Sequence, residues 1–299
     1  MNLLVVGSVA LDSIETPAGK AERVLGGSAV YFSVAASYFT DVGLVAVIGR
    51  DFPEEHIGLL KERKIDLRGL TRESGLTFHW KGRYNGDLNE AESLETQLNV
   101  FETFRPLIPP KYQTVSFVFL ANIDPELQLA VLKQVKRPRL TICDTMNFWI
   151  QGKEDALRET IKQVDILIIN EGEARLLSRQ SNVIRAYRTI ASLGPKIVVI
   201  KKGSHGALLF TPASVFSAPA YLLETVTDPT GAGDCFAGGF AGYLARVQQT
   251  SEEELRRAVI YGSVMASFNV EGFSLDRLRT LSGDEIEDRF MSFKQLTRF

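Results

Sequence analysis

An acid placed directly after a run of small residues is the sharpest chemical signal in the chain: Asp228-Pro229-Thr230-Gly231-Ala232-Gly233-Asp234 runs straight into the apolar stretch Cys235-Phe236-Ala237. Gly231, Ala232 and Gly233 let the backbone approach a ligand closely. At a helix start their N–H groups would face an anion with the favourable end of the macrodipole. That is a cradle for phosphate or an oxyanion. A carboxylate at the mouth of an anion cradle has two readings, a helix N-cap or a general base that takes a proton from an attacking hydroxyl. Other polar residues gather where strands end. Asp12 follows the first strand, where a carboxylate can accept two hydrogen bonds from vicinal hydroxyls or simply hold a turn. Gly26-Gly27 either admits a ligand close to the backbone or gives a flexible entry to the helix that follows, and Tyr31 either stacks on a ligand ring or packs with Phe32. Asn170-Glu171-Gly172-Glu173 closes the strand 166–169, at the edge where ligands of open parallel sheets collect.

The elements that must position these groups alternate. Apolar runs at 3–6, 44–48, 115–120, 140–143, 166–169 and 197–200 read as strands, and 53–63, 125–135, 153–163 and 182–191 have helical spacing. Continuous apolar strands separated by helices predict an α/β, doubly wound, mostly parallel sheet covered on both faces. Residues 76–84 instead alternate apolar and polar, which predicts half-exposed strands. With the stretch after the first strand, the tracts 12–24 and 73–104 are expected to form a small β-flap, either a lid or an ordinary edge hairpin, within one domain spanning 1–299. Its strand edges suggest a surface for a homodimer.

Composition narrows the function. Of the 299 residues, 45% are hydrophobic and 23% charged, values of a folded globular protein. The 34 Lys and Arg against 36 Asp and Glu leave a net charge of −2, which offers no basic field for nucleic acid or an acidic membrane. The two cysteines, Cys143 and Cys235, form no metal-binding spacing and no disulfide framework, consistent with a reducing cytoplasmic location. Polar residues break the longest apolar stretch, so no membrane span is expected, and the first residues lack the basic region of a signal peptide. The Gly-x-x-x-x-Gly-Lys-Ser/Thr signature of P-loop NTPases is absent.

The segment 228–234 resembles the C-terminal signature of the ribokinase, or PfkB, family of carbohydrate and nucleoside kinases. Further matches follow in the family's order: Gly7 through Asp12, Gly26-Gly27, Asn170-x-x-Glu173, and Lys202-Gly203-Ser204-His205-Gly206-Ala207 as a nucleotide-side turn. The resemblance implies transfer of the ATP γ-phosphoryl group to a hydroxyl. In that scheme Asp234 is the base, Gly231, Ala232 and Gly233 stabilise the transferring group, and Asn170 with Glu173 serves magnesium. It places Asn170, Lys202, Gly203, Gly206 and Thr230 against ATP, and Asp12, Gly26, Gly27, Tyr31 and Asn147 against the acceptor. Asp228, Thr230 and the segment 269–272 resemble the region where some members hold a monovalent cation such as potassium. Two departures stand out. Tyr31 lies near the place of an Asn that contacts sugar hydroxyls in many members, and Asp144-Thr145-Met146-Asn147 is one residue longer than the family's Asp-x-Asn segment. The expected acceptor is a small sugar. The alternatives are a nucleoside, favoured if Tyr31, Phe32 or Trp80 stacks a base, or a ligand sensor that binds nucleotide without transfer. Lys20, Lys81 and Arg83 on the flap are solvated charges or contacts for an acidic group on the acceptor.

Overall fold

The computed structural model describes residues 2–86, 88 and 91–298. Its centre is a nine-stranded sheet in the order β13-β12-β11-β10-β9-β8-β1-β4-β5. The strands are β1 Leu3–Val6, β4 Val42–Ile48, β5 Asp66–Arg72, β8 Phe117–Leu120, β9 Leu140–Asp144, β10 Ile166–Asn170, β11 Ile197–Lys201, β12 Ala207–Phe210 and β13 Val215–Ala218. All neighbours from β11 to β5 run parallel, and β12 and β13 close one edge antiparallel.

Strand periodicity builds the two cores. Leu3 and Val5 of β1 point to one apolar cluster and Leu4 and Val6 to the other, as alternation across a pleated strand requires. The first cluster is shared with α1 (Ser28–Ala36), α2 (Glu54–Glu62), α8 (Ala232–Val247), α9 (Glu252–Asn269) and α11 (Gly283–Leu296). The second is shared with α3 (Pro125–Leu132), α4 (Asn147–Gly152), α5 (Glu154–Ile161), α6 (Glu171–Ser178) and α7 (Val183–Ala191). All nine residues of α1 are buried, because it lies between the sheet and α8. The short α10 (Asp276–Thr280) packs on α9.

A second sheet of four strands has the order β3-β2-β6-β7, with β2 Ala10–Thr16, β3 Gly19–Gly26, β6 Phe78–Tyr84 and β7 Ala91–Gln97. Its limits differ from the tracts 12–24 and 73–104. The sheet begins earlier, at Ala10, and residues 98–104 turn through a short 3₁₀ segment instead of extending β7. Directly paired residues lie on one face of a sheet, so Asp12, which pairs with Trp80, shares its face with Trp80, Gly82 and Tyr84. Thr16 ties this sheet to the loop before α8 by donating from Oγ1 to the Thr227 carbonyl at 2.8 Å.

Candidate active site

The carboxyl ends of three adjacent strands bring together Asp144, Asn170 and Lys201. Ile168 of β10 pairs with Asp144 of β9, and Asn170 pairs with Lys201 of β11. Lys201 Nζ lies 3.3 Å from Asp144 Oδ2, and both side chains are mostly withdrawn from solvent. Burial works against the ammonium, yet Asp144, Glu173 and Asp234 together hold its pKa above the ordinary lysine value. Beside it, Asn170 and Glu173 close the start of α6 as a reciprocal capping box. Asn170 Oδ1 accepts from the Glu173 N–H at 2.8 Å, and Glu173 Oε2 accepts from the Asn170 N–H at 2.9 Å. Burial, with Asp144 adding repulsion against the pull of Lys201, pushes the Glu173 carboxyl up to about 7.

The first turn of α8 faces this cluster. Gly231 is its N-cap with φ +76°, a left-handed geometry that a side chain would strain. A Cβ at Gly231 would also lie 2.4 Å from the Tyr31 ring, and one at Gly233 would lie 2.9 Å from Lys201 Nζ. Both glycines therefore make room for a named neighbour. The Ala232 N–H bends back to the Pro229 carbonyl at 3.1 Å, so a cradle here draws on the amides around it, in a turn that has no earlier carbonyls to bond. The loop before the helix is held by hydrogen bonds. Asp228 accepts from the N–H groups of Thr230 (2.9 Å) and Ser274 (3.1 Å), and Asn269 Nδ2 donates to the Thr230 carbonyl at 2.7 Å.

A second set of polar groups approaches the same turn from the small sheet. Asp12 is 4% exposed, and a Cβ at Gly26 would fall 1.9 Å from its Oδ2, so glycine there leaves the carboxylate its place. Burial and the Asp228 charge, opposed by a hydrogen bond from the Gly27 N–H, raise Asp12 to about 7. Gly27 has φ +95°, and the turn it forms is pinned by Ser8 and Ser28, whose backbone N–H groups each bond the other's hydroxyl at 3.3 and 3.0 Å. Tyr84, at the end of β6, reaches Thr230 Oγ1 at 3.3 Å, and burial raises its hydroxyl to about 12. The Tyr31 hydroxyl is fully enclosed and makes no hydrogen bond among the described residues.

Asp234 joins the two sets. Its pKa stands well above the ordinary carboxylate value because it is desolvated and because Asp144, Asp12 and Glu173 repel its charge, while Lys201 pulls the other way. Its carboxylate therefore feels the Lys201 side and the Asp12 side at once.

Other residues lie at or beyond the margins of these two sets. Lys202, Gly203 and Gly206 form the turn between β11 and β12, with the Lys202 N–H bonded to the Gly206 carbonyl at 2.8 Å; it is Lys201, the residue before, that enters the cluster. Asn147 is exposed at the start of α4 and accepts from its neighbour's N–H, Phe148, at 2.9 Å, outside both sets. Phe32 is core, stacked on Phe119 with ring centroids 4.0 Å apart. Trp149 donates to Asn122 at 3.0 Å, and Asp124 caps α3 through the Glu126 N–H. On the flap, Lys20 and Arg83 pair with Glu15. Sequence reasoning missed Lys201 and Tyr84, and it singled out the segment of Asp144 but put the role on Asn147. The rule that ligands gather at the carboxyl edge of parallel strands reaches Lys201 and Asp144 once the strand ends are placed. No local signal marks Tyr84.

The profile of the pfkB family carbohydrate kinase matches residues 2–277. The chain belongs to this family. It is therefore a kinase, a phosphotransferase with a hydroxyl acceptor, and its fold is that of ribokinase. The cytidine kinase of Thermococcus kodakarensis is 33% identical over 249 residues, which are 81% of this chain and 88% of that one. The crystal structure of the Methanocaldococcus jannaschii nucleoside kinase superposes with a TM-score of 0.78 at 23% identity, covering 98% of this chain and 99% of that one. A putative ribokinase II from E. coli, in complex with ATP and Mg²⁺, superposes with a TM-score of 0.76 at 19% identity, covering 97% and 99%. Among the described residues no helix is long and apolar enough to cross a membrane.

The raised carboxyls give a stability prediction. An acid whose folded pKa exceeds its unfolded value holds a proton that the unfolded chain has released, so its contribution is full below about pH 4 and is lost as pH rises through the folded pKa. For Asp12 that window runs from the ordinary 3.8 to about 7. Asp12→Asn is expected to melt progressively higher than the parent as pH is raised from about 5 to 8. The difference between the two proteins isolates Asp12 from groups that titrate alike in both, His56 and His79 among them. Thermal unfolding across pH checks this, and a melting difference that does not change with pH contradicts it.

Proposed function

We propose that this kinase transfers the γ-phosphoryl group of ATP to a hydroxyl of a nucleoside of the cytidine class. The observation that carries the reading is the position of Asp234 in the first turn of α8, whose Gly233 abuts Lys201 at the sheet edge and whose N-cap Gly231 abuts Tyr31 on the side of Asp12. The acceptor hydroxyl attacks phosphorus, its proton passes to the Asp234 carboxylate, and the bond from phosphorus to the β-phosphate oxygen breaks with its electron pair leaving on ADP. A carboxylate of raised pKa is the stronger base for that transfer. Amides fixed on α8 need no reorganisation as charge develops on the phosphoryl oxygens.

ATP and magnesium are supported by the neighbour whose structure contains both. Among the described residues no three His, Cys, Asp or Glu side chains are grouped to hold a metal on their own. Magnesium suits such a site, since it keeps waters and needs few carboxylates beyond substrate phosphates. Glu173 Oε1 is the group left to receive its water, because Glu173 Oε2 and Asn170 Oδ1 are engaged in the α6 cap. When bound, the ion would neutralise phosphate charge. Both Asp228 oxygens accept backbone N–H groups, so a potassium ion would have to rely on main-chain oxygens around them.

The choice of nucleoside over free sugar rests on the relatives named above and on the small sheet. Asp12 and Tyr84 suit ribose hydroxyls, and Trp80, half-exposed on the same face, offers an aromatic surface for a base. The expected result is a kcat/KM for cytidine at least about 100-fold above that for ribose, the scale of losing a base platform and its contacts. Turnover measured with cytidine, adenosine, inosine, ribose and fructose checks this. Preference for a free sugar sinks the nucleoside reading and restores the smaller acceptor.

A further inference from the structure

We propose that Lys201 is a catalytic residue of this kinase, its ammonium passing from the Asp144 carboxylate to the transferring phosphoryl group, with Asp144 as its positioning residue. The inference rests on the kinase site described above and not on which acceptor fills it. Three observations carry it. Lys201 ends β11 at the sheet edge, in register with Asn170, so its side chain emerges where a nucleotide's phosphates would lie. The ammonium lies against the first turn of α8, so close that a Cβ at Gly233 would sit 2.9 Å from Nζ. A cation and helix-start amides thus converge on one place, which is an arrangement for an anion and not for a structural ion pair alone.

The third observation is the imbalance of charge. Lys201 faces Asp144, Glu173 and Asp234, and its contact with Asp144 at 3.3 Å is long for a charge-assisted hydrogen bond. An ammonium has three donors, and among the described residues Lys201 Nζ makes one hydrogen bond, to Asp144. Its remaining donors are available to phosphoryl oxygens as charge builds on them. Lys202, beside it in sequence, belongs to the β11–β12 turn, its N–H bonded to the Gly206 carbonyl.

The test compares ground-state and transition-state binding by calorimetry, using ADP with magnesium, then ADP with magnesium, aluminium fluoride and either cytidine or ribose. Lys201→Met paired with Asp144→Asn removes the cation without leaving an uncompensated buried carboxylate at 144, and Lys201→Arg keeps a cation. The expected outcome for the double variant is a loss of about 100-fold or more in affinity for the aluminium fluoride complex, with ADP affinity within about 3-fold of the parent and kcat falling in step. Lys201→Arg should recover part of both losses. Equal weakening of ADP and aluminium fluoride complexes, or no weakening of either, overturns the proposal. If the parent assembles the complex with ribose and not with cytidine, the nucleoside reading fails while Lys201 is judged in the ribose complex.

Discussion

Replacing Asp234 with Asn should lower kcat by about 10³-fold while leaving nucleotide binding close to that of the parent, within the usual range for loss of a general base. Asn keeps the size of the side chain and its place in the first turn of α8 but cannot accept the hydroxyl proton. The environment makes this loss specific. Asp234 is desolvated and repelled by Asp144, Asp12 and Glu173, so its charged form is disfavoured and taking up the hydroxyl proton relieves that repulsion. Asn removes that repulsion, and the variant is expected to fold at least as well as the parent. Steady-state kinetics alongside calorimetric titration with ADP separate the two effects. A kcat within a few-fold of the parent returns Asp234 to the role of a helix-start residue.

Asp12→Ala should lower kcat/KM for the acceptor by about 10² to 10⁴, because two hydrogen bonds to a carboxylate contribute roughly 1.5–3 kcal/mol each. Nucleotide affinity should hardly change, since Asp12 belongs to the small-sheet set. The charge state adds a second signature. With its carboxyl raised to about 7, Asp12 is mostly protonated below neutrality and ionises as pH rises through that value. Acceptor affinity measured in the Asp234→Asn background, where no turnover intervenes, should strengthen with rising pH and level off above about 7. A flat profile, or an Asp12→Ala variant with unchanged acceptor affinity, removes Asp12 from the hydroxyl site.

The chemistry was most legible where composition contrasts with function. An acid after Gly231-Ala232-Gly233 stands out because an anion cradle has little use for a negative charge, and the structure places Asp234 where both polar sets act on it. Lys201 was not legible for a geometric reason. Lys201 and Lys202 are neighbours, and consecutive strand residues point to opposite faces, so which one enters the site depends on where β11 stops. Tyr84 is harder still, because its partner Thr230 is 146 positions away and the contact exists only once the small sheet lies over the loop. Asn147 shows the reverse: the extra residue after Asp144 carries it to the exposed start of α4.

The same logic applies to the fold. The buried parallel strands announced themselves as apolar runs. The strand β5 did not, since Asp66-Leu67-Arg68-Gly69-Leu70-Thr71-Arg72 is an edge strand with polar residues and an irregular register beside Gly43 and Val45. The β12–β13 hairpin is equally quiet, its turn from β11 made possible by Gly206 at φ +85°. The nine residues of α1 carry no polar face because every one is buried, so helical amphipathicity could not mark its limits.

The most direct measurement of the central claim is the stoichiometry of one reaction: ATP, magnesium and cytidine with the full chain, following ADP and phosphorylated cytidine together by chromatography and mass. Equal amounts of the two products, both abolished by Asp234→Asn, are the predicted result. ADP appearing without a phosphorylated nucleoside, or equal products persisting in Asp234→Asn, would contradict the account.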